Sequence, residues 1–324
     1  PPFPTFLFGR DCFISTVVDL ILGKPPARLA ILGPGGVGKT TVAAAIFSSE
    51  SIDRVYHDHK VFVSCEALFS ADQLIENLCH GFHLNIQQQK PLSILKNFFR
   101  IASMTLLVLD NFETVWDSDQ HNSLKLMKLL DSYAQLTILI TMRGFLRPGV
   151  GDMKWTQPAL EPLQVLTMDA ATQAFKAITP ITDDAALEKL VECVECLPLA
   201  VVLLAHLGQM GISPSELLEM FLKEQTTLLS KNNGHKSNCL ETSILLSLHS
   251  PQMRQNQHTL KLLKLICYFP AGIKKHHLSA IAGIKESMTL KAIEGLLRTG
   301  LVQPLQNGRW KLLSPVRYFI CEQY

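Results

Sequence analysis

Long apolar runs are missing from this chain of 324 residues. The longest, Leu197–Ala205, falls far short of the roughly 18 residues that crossing a bilayer requires, so no membrane span is expected. The opening Pro1-Pro2-Phe3-Pro4 lacks the basic and apolar regions of a secretory leader, and the expectation is a soluble, cytoplasmic chain. A disulfide framework is missing too. The eight cysteines, at positions 12, 65, 79, 193, 196, 239, 267 and 321, are scattered, as small apolar residues in a reducing compartment are. Cys193-Val-Glu-Cys196 is formally a CxxC, but it lies in a helical pattern with no second pair and no histidine at ligand spacing. That argues against metal or redox chemistry. Internal repeats and low-complexity tracts are absent, and charge is sparse. Against 18% charged residues stand 47% hydrophobic ones, enough for the cores of two or three domains at this length.

The charge that is present is unevenly placed. Residues 251–324 carry eleven Lys/Arg and three acids, a local balance of +8, which leaves −6 on the first 250 residues. Such asymmetry suits a nucleic-acid or membrane-surface footprint, or a face that docks on an acidic neighbour.

The stretch with most chemistry is Leu32-Gly33-Pro34-Gly35-Gly36-Val37-Gly38-Lys39-Thr40-Thr41. It fits Gly, four residues, Gly-Lys-Ser/Thr, the P-loop pattern that wraps nucleotide phosphates. Gly33, Gly35, Gly36 and Gly38 permit positive backbone dihedrals, so consecutive amides can turn inward on an anion. Lys39 supplies a point charge for the β/γ-phosphates, and the Thr40 hydroxyl suits Mg²⁺. Arg28–Leu32 reads as a buried strand and Lys39–Ser49 as a helix, whose partial positive N-terminus adds to the same spot. Strand, glycine loop and helix in that order are the context the motif requires.

Around this loop the chain alternates strands with helices. A helix is expected from about Asp11, as N-cap, to Leu22, strands at Lys60–Ser64, Met104–Asp110 and Leu136–Thr141, and helices at Ala71–Leu78, Pro91–Ile101 and about Asn122–Tyr133. An acidic, polar loop is expected after Asp110. Near-continuous Val/Ile/Leu strands argue for an α/β domain with a parallel sheet covered on both faces. From about Thr167 strand signals stop, and helices are expected at Asp169–Ile178, Asp183–Cys196, Leu199–Leu207 and Ser213–Leu229. A polar hinge at 230–237 precedes helices at about Glu241–Ser250, Gln257–Cys267, Lys275–Ile281 and Thr289–Gly300. Short runs at Leu301–Pro304 and Arg309–Leu313, joined by a turn at Gln306-Asn-Gly308, and a helix at Pro315–Gln323 complete a winged-helix-like module. The expected domains are 1–165, nucleotide-binding; 166–236, helical; and 237–324, winged-helix-like.

Leu106-Leu-Val-Leu-Asp110 ends a hydrophobic strand on an acid, as a Walker B segment does, and Asp110 is expected to hold the same Mg²⁺ as Thr40. Many P-loop ATPases follow that aspartate with an acid that orients water. Here the residue is Asn111, whose amide cannot accept a proton, so hydrolysis is expected to be slow or impaired. Arg143, just beyond the fourth strand, is placed to reach a γ-phosphate.

Together these residues resemble the NB-ARC nucleotide-binding module of the STAND class of signalling ATPases, found in plant resistance proteins, apoptosome scaffolds and fungal NLR-like proteins. The matching pieces run in the family's order: Phe8-Gly-Arg-Asp11, Gly33–Thr41, Val61-Phe-Val-Ser64, Leu106–Trp116, Leu139-Ile-Thr-Met-Arg143, Cys196-Leu-Pro-Leu-Ala200 and Trp310–Phe319. Leu109-Asp-Asn-Phe-Glu-Thr114 and Leu313-Ser-Pro-Val-Arg317 look most like fungal versions. The resemblance implies a RecA-like domain, a helical domain and a winged-helix domain, closed around ADP in the off-state, with exchange for ATP permitting opening and homo-oligomerisation. It places Phe8, Gly9 and Arg10 near adenine or ribose, and the loop Gly33, Gly35, Gly36, Val37, Gly38, Lys39, Thr40 and Thr41 on the phosphates. Thr40 and Asp110 take Mg²⁺, Arg143 acts as sensor, and Pro198 packs on the nucleotide. It also implies an N-terminal effector domain and C-terminal sensor repeats outside these residues. Two positions depart from the pattern: Cys196 replaces a glycine, and Leu313 stands where a phosphate-touching histidine is usual.

A competing reading is a DNA-binding AAA-type ATPase using its basic winged helix. The expected recognition helix, Thr289–Gly300, holds only Lys291 and Arg298, with Glu294 opposing them, which is sparse for groove entry. Nucleic acid is therefore not the expected partner.

Overall fold

Four Val/Ile/Leu runs dominate the first half of the sequence, and all four form strands: β1 (Arg28–Gly33), β2 (Lys60–Ser64), β3 (Thr105–Asp110) and β4 (Leu136–Arg143). The structure is a computed structural model that describes residues 4, 7–23, 26–86, 90–149, 151–180, 184–209, 211–224, 240–305 and 307–323. The polar stretch 230–237, read as a hinge, lies outside the described residues. Two compact units are formed. The first comprises Pro1–Leu32, Lys39–Met142 and Arg147–Pro162; the second comprises Gly33–Gly38, Arg143–Leu146 and Leu163–Tyr324.

The strands make one sheet in the order β1-β4-β3-β2. β2 runs parallel to β3 with Ser64 opposite Asp110, and β3 runs parallel to β4 with Leu109 opposite Ile140. Their C-terminal ends therefore share one edge, where ligands of such sheets bind. Every residue of β1 and β3 is buried, as coverage on both faces requires, whereas β2 at the edge alternates between buried and partly exposed. The other edge is closed by a loop. Thr156 donates its N–H to the Arg28 carbonyl at 3.0 Å and accepts the Arg28 N–H on its hydroxyl at 2.8 Å, which covers backbone groups that an open edge would expose.

Helices α1 (Asp11–Leu22), α2 (Lys39–Phe47), α3 (Glu50–Tyr56), α4 (Ala71–Gly81), α5 (Pro91–Ile101), α6 (Glu113–Ser118) and α7 (Gln120–Asp131) surround the sheet. Ser70 and Gln73 form a reciprocal cap on α4. The Ser70 hydroxyl accepts the Gln73 N–H at 3.2 Å, and the Gln73 side chain accepts the Phe69 N–H at 2.7 Å. Two expectations are corrected here. The segment after Asp110 forms α6 rather than a loop, because Val115 and Trp116 bury in the core. Asp11 is not the N-cap of α1. That position is Arg10, and Asp11 stands in the first turn, where a carboxylate complements the helix dipole.

In the second unit α8 (Met168–Ile178), α9 (Asp184–Cys193), α10 (Pro198–Gly208) and α11 (Pro214–Glu224) pack α8 on α10 and α9 on α11. Ser213 and Glu216 form a full capping box on α11, with bonds of 2.9 and 3.3 Å. Next come α12 (Leu240–Leu248), α13 (Pro251–Arg254), α14 (His258–Cys267), β5 (Ile273–Lys274), α15 (Lys275–Ala282), α16 (Glu286–Thr299), β6 (Gln303–Pro304), β7 (Arg309–Lys311) and α17 (Ser314–Gln323). The three short strands make an antiparallel sheet in the order β5-β7-β6. Among the described residues no helix is long and apolar enough to cross a membrane.

One buried cation anchors the first unit. Arg28, 2% exposed, pairs with Asp131 at 2.8 Å and donates to the carbonyls of Asp131 and Tyr133 at 3.1 Å and of Leu136. It thus closes the C-terminus of α7, where a cation offsets the helix dipole. Removing one partner of a buried pair leaves the other charge uncompensated, which costs about 3–5 kcal/mol. Arg28→Met is accordingly expected to lose that much stability in urea unfolding followed by the fluorescence of Trp116 and Trp155. A loss within the range of ordinary surface substitutions, below about 0.5 kcal/mol, contradicts the assignment.

Candidate nucleotide-binding site

Of the glycine-rich motif, Gly33–Gly38 belongs to the second unit, and Lys39, Thr40 and Thr41, which open α2, belong to the first.

In the first unit Thr40 and Asp110, seventy residues apart, are brought together. The Thr40 hydroxyl lies 3.0 Å from each Asp110 carboxylate oxygen. Thr141 donates its hydroxyl to the same carboxylate at 2.6 Å and accepts the Asn111 N–H at 2.9 Å. Asp110 is only 2% exposed. Burial pushes its pKa up, and hydrogen bonds from Thr141 and Thr40, the Lys39 charge and the Asn111 N–H oppose the rise. Lys39 is buried, whereas Thr40 is exposed. A carboxylate beside a hydroxyl is a hard oxygen donor set of the kind Mg²⁺ prefers, so these residues fit the metal. The Cys65 N–H donates to the Asp110 carbonyl at 2.7 Å. Burial, with the Asp110 and Glu113 charges, pushes the Cys65 thiol up to about 12, which leaves it unreactive.

Asn111 has a left-handed φ of 54°. Asn is among the few side-chain-bearing residues that accept this conformation at small cost, which gives its presence a conformational reason. Phe8, Gly9 and Arg10 immediately precede α1. Phe8 is half-buried, and Arg10 is buried, with its pKa lowered by burial. The Arg10 carbonyl accepts the Ile14 N–H at 2.9 Å.

In the second unit the glycine loop meets α10. Gly36, at φ 76°, presents its carbonyl to the Leu199 N–H at 3.1 Å. A Cβ added at Gly36 would stand 3.0 Å from the Leu199 Cβ, so both dihedral and space require glycine. Val37 is fully buried, and Gly35 is half-buried. Beside Gly38, at φ 93°, no described atom lies within 4 Å of an added Cβ. Pro198 occupies the first turn of α10, next to the bonded Leu199. Arg143 donates to the Ser247 hydroxyl on α12 at 3.2 Å. Gly144 lies against the end of α16, and the Phe145 N–H donates to the Leu297 carbonyl at 3.0 Å.

Ser247 and Leu297 escaped sequence reasoning, as did the bonds made by Leu199 and Thr141, although both residues lie within the motif stretches 196–200 and 139–143. Leu199 and Leu297 act through the backbone, which no side chain advertises, and a helical serine carries no motif.

Residues 14–173 match the NB-ARC domain. The chain is 24% identical over 269 residues to the disease resistance protein RPM1 of Arabidopsis thaliana, a match covering 75% of this chain and 27% of that protein. It is 26% identical over 147 residues to the disease resistance protein RGA2 of Solanum bulbocastanum, covering 42% and 15% respectively. It therefore spans about a quarter or less of the curated relatives it matches. Its fold resembles that of the Walker-type ATPase of Pyrococcus abyssi, with a TM-score of 0.66 and 14% identity over 98% of this chain and 96% of that one. The two relatives are plant proteins, and the fungal likeness read from residues 109–114 and 313–317 gains no support from them.

The buried carboxylate yields a pH prediction. A folded pKa above the unfolded value near 3.9 means that the folded state binds more protons. Stability therefore falls as pH rises from that value through the elevated folded pKa. Asp110→Asn removes the buried charge and keeps an acceptor for both threonines. Without nucleotide or Mg²⁺, its melting temperature at pH 7 should equal or exceed that of the parent chain, with the difference shrinking toward pH 4. A variant less stable by about 2 kcal/mol or more, the scale of an orphaned buried group, contradicts this.

Proposed function

We propose that this chain is the ADP/ATP-binding switch of an NLR-like STAND signalling protein. The observation that carries the reading is the Thr40–Asp110 contact, which joins a P-loop to the acid ending a buried strand. The NB-ARC match over residues 14–173 supports it. On this reading the amides of residues 35–38 and the Lys39 ammonium grip the phosphates. Thr40 and Asp110 hold Mg²⁺, Arg143 senses the γ-phosphate, Pro198 packs on the nucleotide, and Phe8, Gly9 and Arg10 lie near the adenine or ribose. Bound Mg²⁺ would screen the phosphate charge. With Asn111 after Asp110, hydrolysis is slow or impaired.

ADP holds the closed off-state, and exchange permits opening and homo-oligomerisation. Only a difference in affinity of ADP and ATP for the two states can move that equilibrium. Residues 166–236 form the helical module and 237–324 the winged-helix module of this switch. An N-terminal effector domain and C-terminal sensor repeats complete the full-length protein. The switch acts in the cytoplasm, and its role in innate immunity is supported by the likeness to two plant disease resistance proteins.

The basic balance of residues 251–324 favours a DNA-binding AAA-type ATPase instead. Against it, Arg298, one of two cations on the stretch 289–300, is held by Glu294 at 2.8 Å.

The nucleotide released on denaturing the purified protein tests the proposal. ADP is expected, and Lys39→Ala should yield none. That variant should also melt at lower temperature, since a ligand at 100 times its dissociation constant stabilises the native form by about 2.7 kcal/mol. Protein without nucleotide and without measurable ADP affinity overturns the reading.

A further inference from the structure

Glu195 and Cys196, between α9 and α10, hold consecutive left-handed conformations with φ of 48° and 52°. Side-chain-bearing residues stay there where their surroundings impose it. Backbone bonds account for Cys196. Its N–H donates to the Val191 carbonyl at 3.1 Å, and its carbonyl accepts the Leu166 N–H at 3.2 Å.

Glu195 has partners far along the chain. One carboxylate oxygen accepts the Ser314 hydroxyl at 2.5 Å and the Ser314 N–H at 3.2 Å, across 119 residues. The other pairs with the Lys311 ammonium at 3.0 Å, with side chains 23% and 24% exposed. The carboxylate thus caps the first turn of α17 from outside, where negative charge is favoured, and grips β7 as well. At that degree of burial the ion pair is screened less than a surface pair.

The same turn is held at its other end. Four residues on, the Leu199 N–H bonds the Gly36 carbonyl at 3.1 Å. Between them the Leu197 N–H bonds the Val194 carbonyl at 3.1 Å, and Pro198 sets the start of α10. The span from Glu195 to Leu199 is therefore a short, hydrogen-bonded link from the glycine loop to the start of α17. Leu313, where the resemblance leads one to expect a phosphate-touching histidine, is buried and apolar.

We propose that Glu195 is the latch of this switch: its carboxylate fastens residues 311–314 to the turn that carries Leu199, so that occupancy of the glycine loop reaches α17 through protein contacts. This rests on the nucleotide-switch reading above. Coupling is reciprocal, so breaking the latch must alter how the loop holds its nucleotide.

The test is release of a fluorescent ADP analogue from the full 324-residue chain, followed by stopped flow. Glu195→Gln and Lys311→Met should each speed release at least tenfold. The double variant should be no faster than the faster of the two single ones. Should Glu195→Gln fail to fold, Lys311→Met carries the same readout. Parental rates in the single variants, or multiplying effects in the double variant, overturn the latch. A parent chain that binds no ADP overturns the switch reading together with it, whereas ADP binding with unchanged release overturns the latch alone.

Discussion

The N–H of Leu199 has no acceptor within its own helix. It belongs to the first turn of α10, after a proline that lacks a donor, and such first-turn groups must be satisfied from outside. The Gly36 carbonyl supplies the partner at 3.1 Å. A helix end and a phosphate-type loop thereby complete one another, and the conformation of one cannot change without orphaning a group on the other. The opposite kind of end is treated likewise. In the last turn of α16 the Leu297 carbonyl accepts the Gly300 N–H at 3.3 Å, and the Phe145 N–H is a second and shorter donor to it at 3.0 Å. Gly144 makes this approach possible, since an added Cβ would stand 2.4 Å from the Arg298 carbonyl.

In the first unit the central constraint is a buried charge. Asp110 sits at the end of a fully buried strand, and the hydroxyls of Thr40 and Thr141 hold its carboxylate. Burial makes that charge costly without a cation, which is the electrostatic condition for binding one. Arg28 plays the opposite role. Its guanidinium is saturated by Asp131 and backbone carbonyls at the end of α7, so it holds structure and has nothing left to offer a ligand.

Much of this was legible in the residues. Strands buried on both faces announce themselves as Val/Ile/Leu runs, and α5 lies at the expected Pro91–Ile101 because proline and amphipathic spacing agree. The meeting of Thr40 with Asp110 was legible through motif and spacing. Other features were not. Polar residues outnumber apolar ones in α6, and only burial of Val115 and Trp116 makes it a helix. β5 is two residues long and exists by pairing with β7, too short for any periodic signal. The helix expected to reach Cys196 ends at Cys193 because Glu195 and Cys196 turn left-handed, and that turn is held by a serine 119 residues away. Long-range polar partners leave no local trace.

Amide hydrogen exchange at Leu199 tests the central claim most directly. With ADP bound, the account predicts strong protection of that N–H, and a loss of at least tenfold when nucleotide is removed. Protection at Leu199 that is the same with and without nucleotide would contradict the claim that the glycine loop and the start of α10 respond as one.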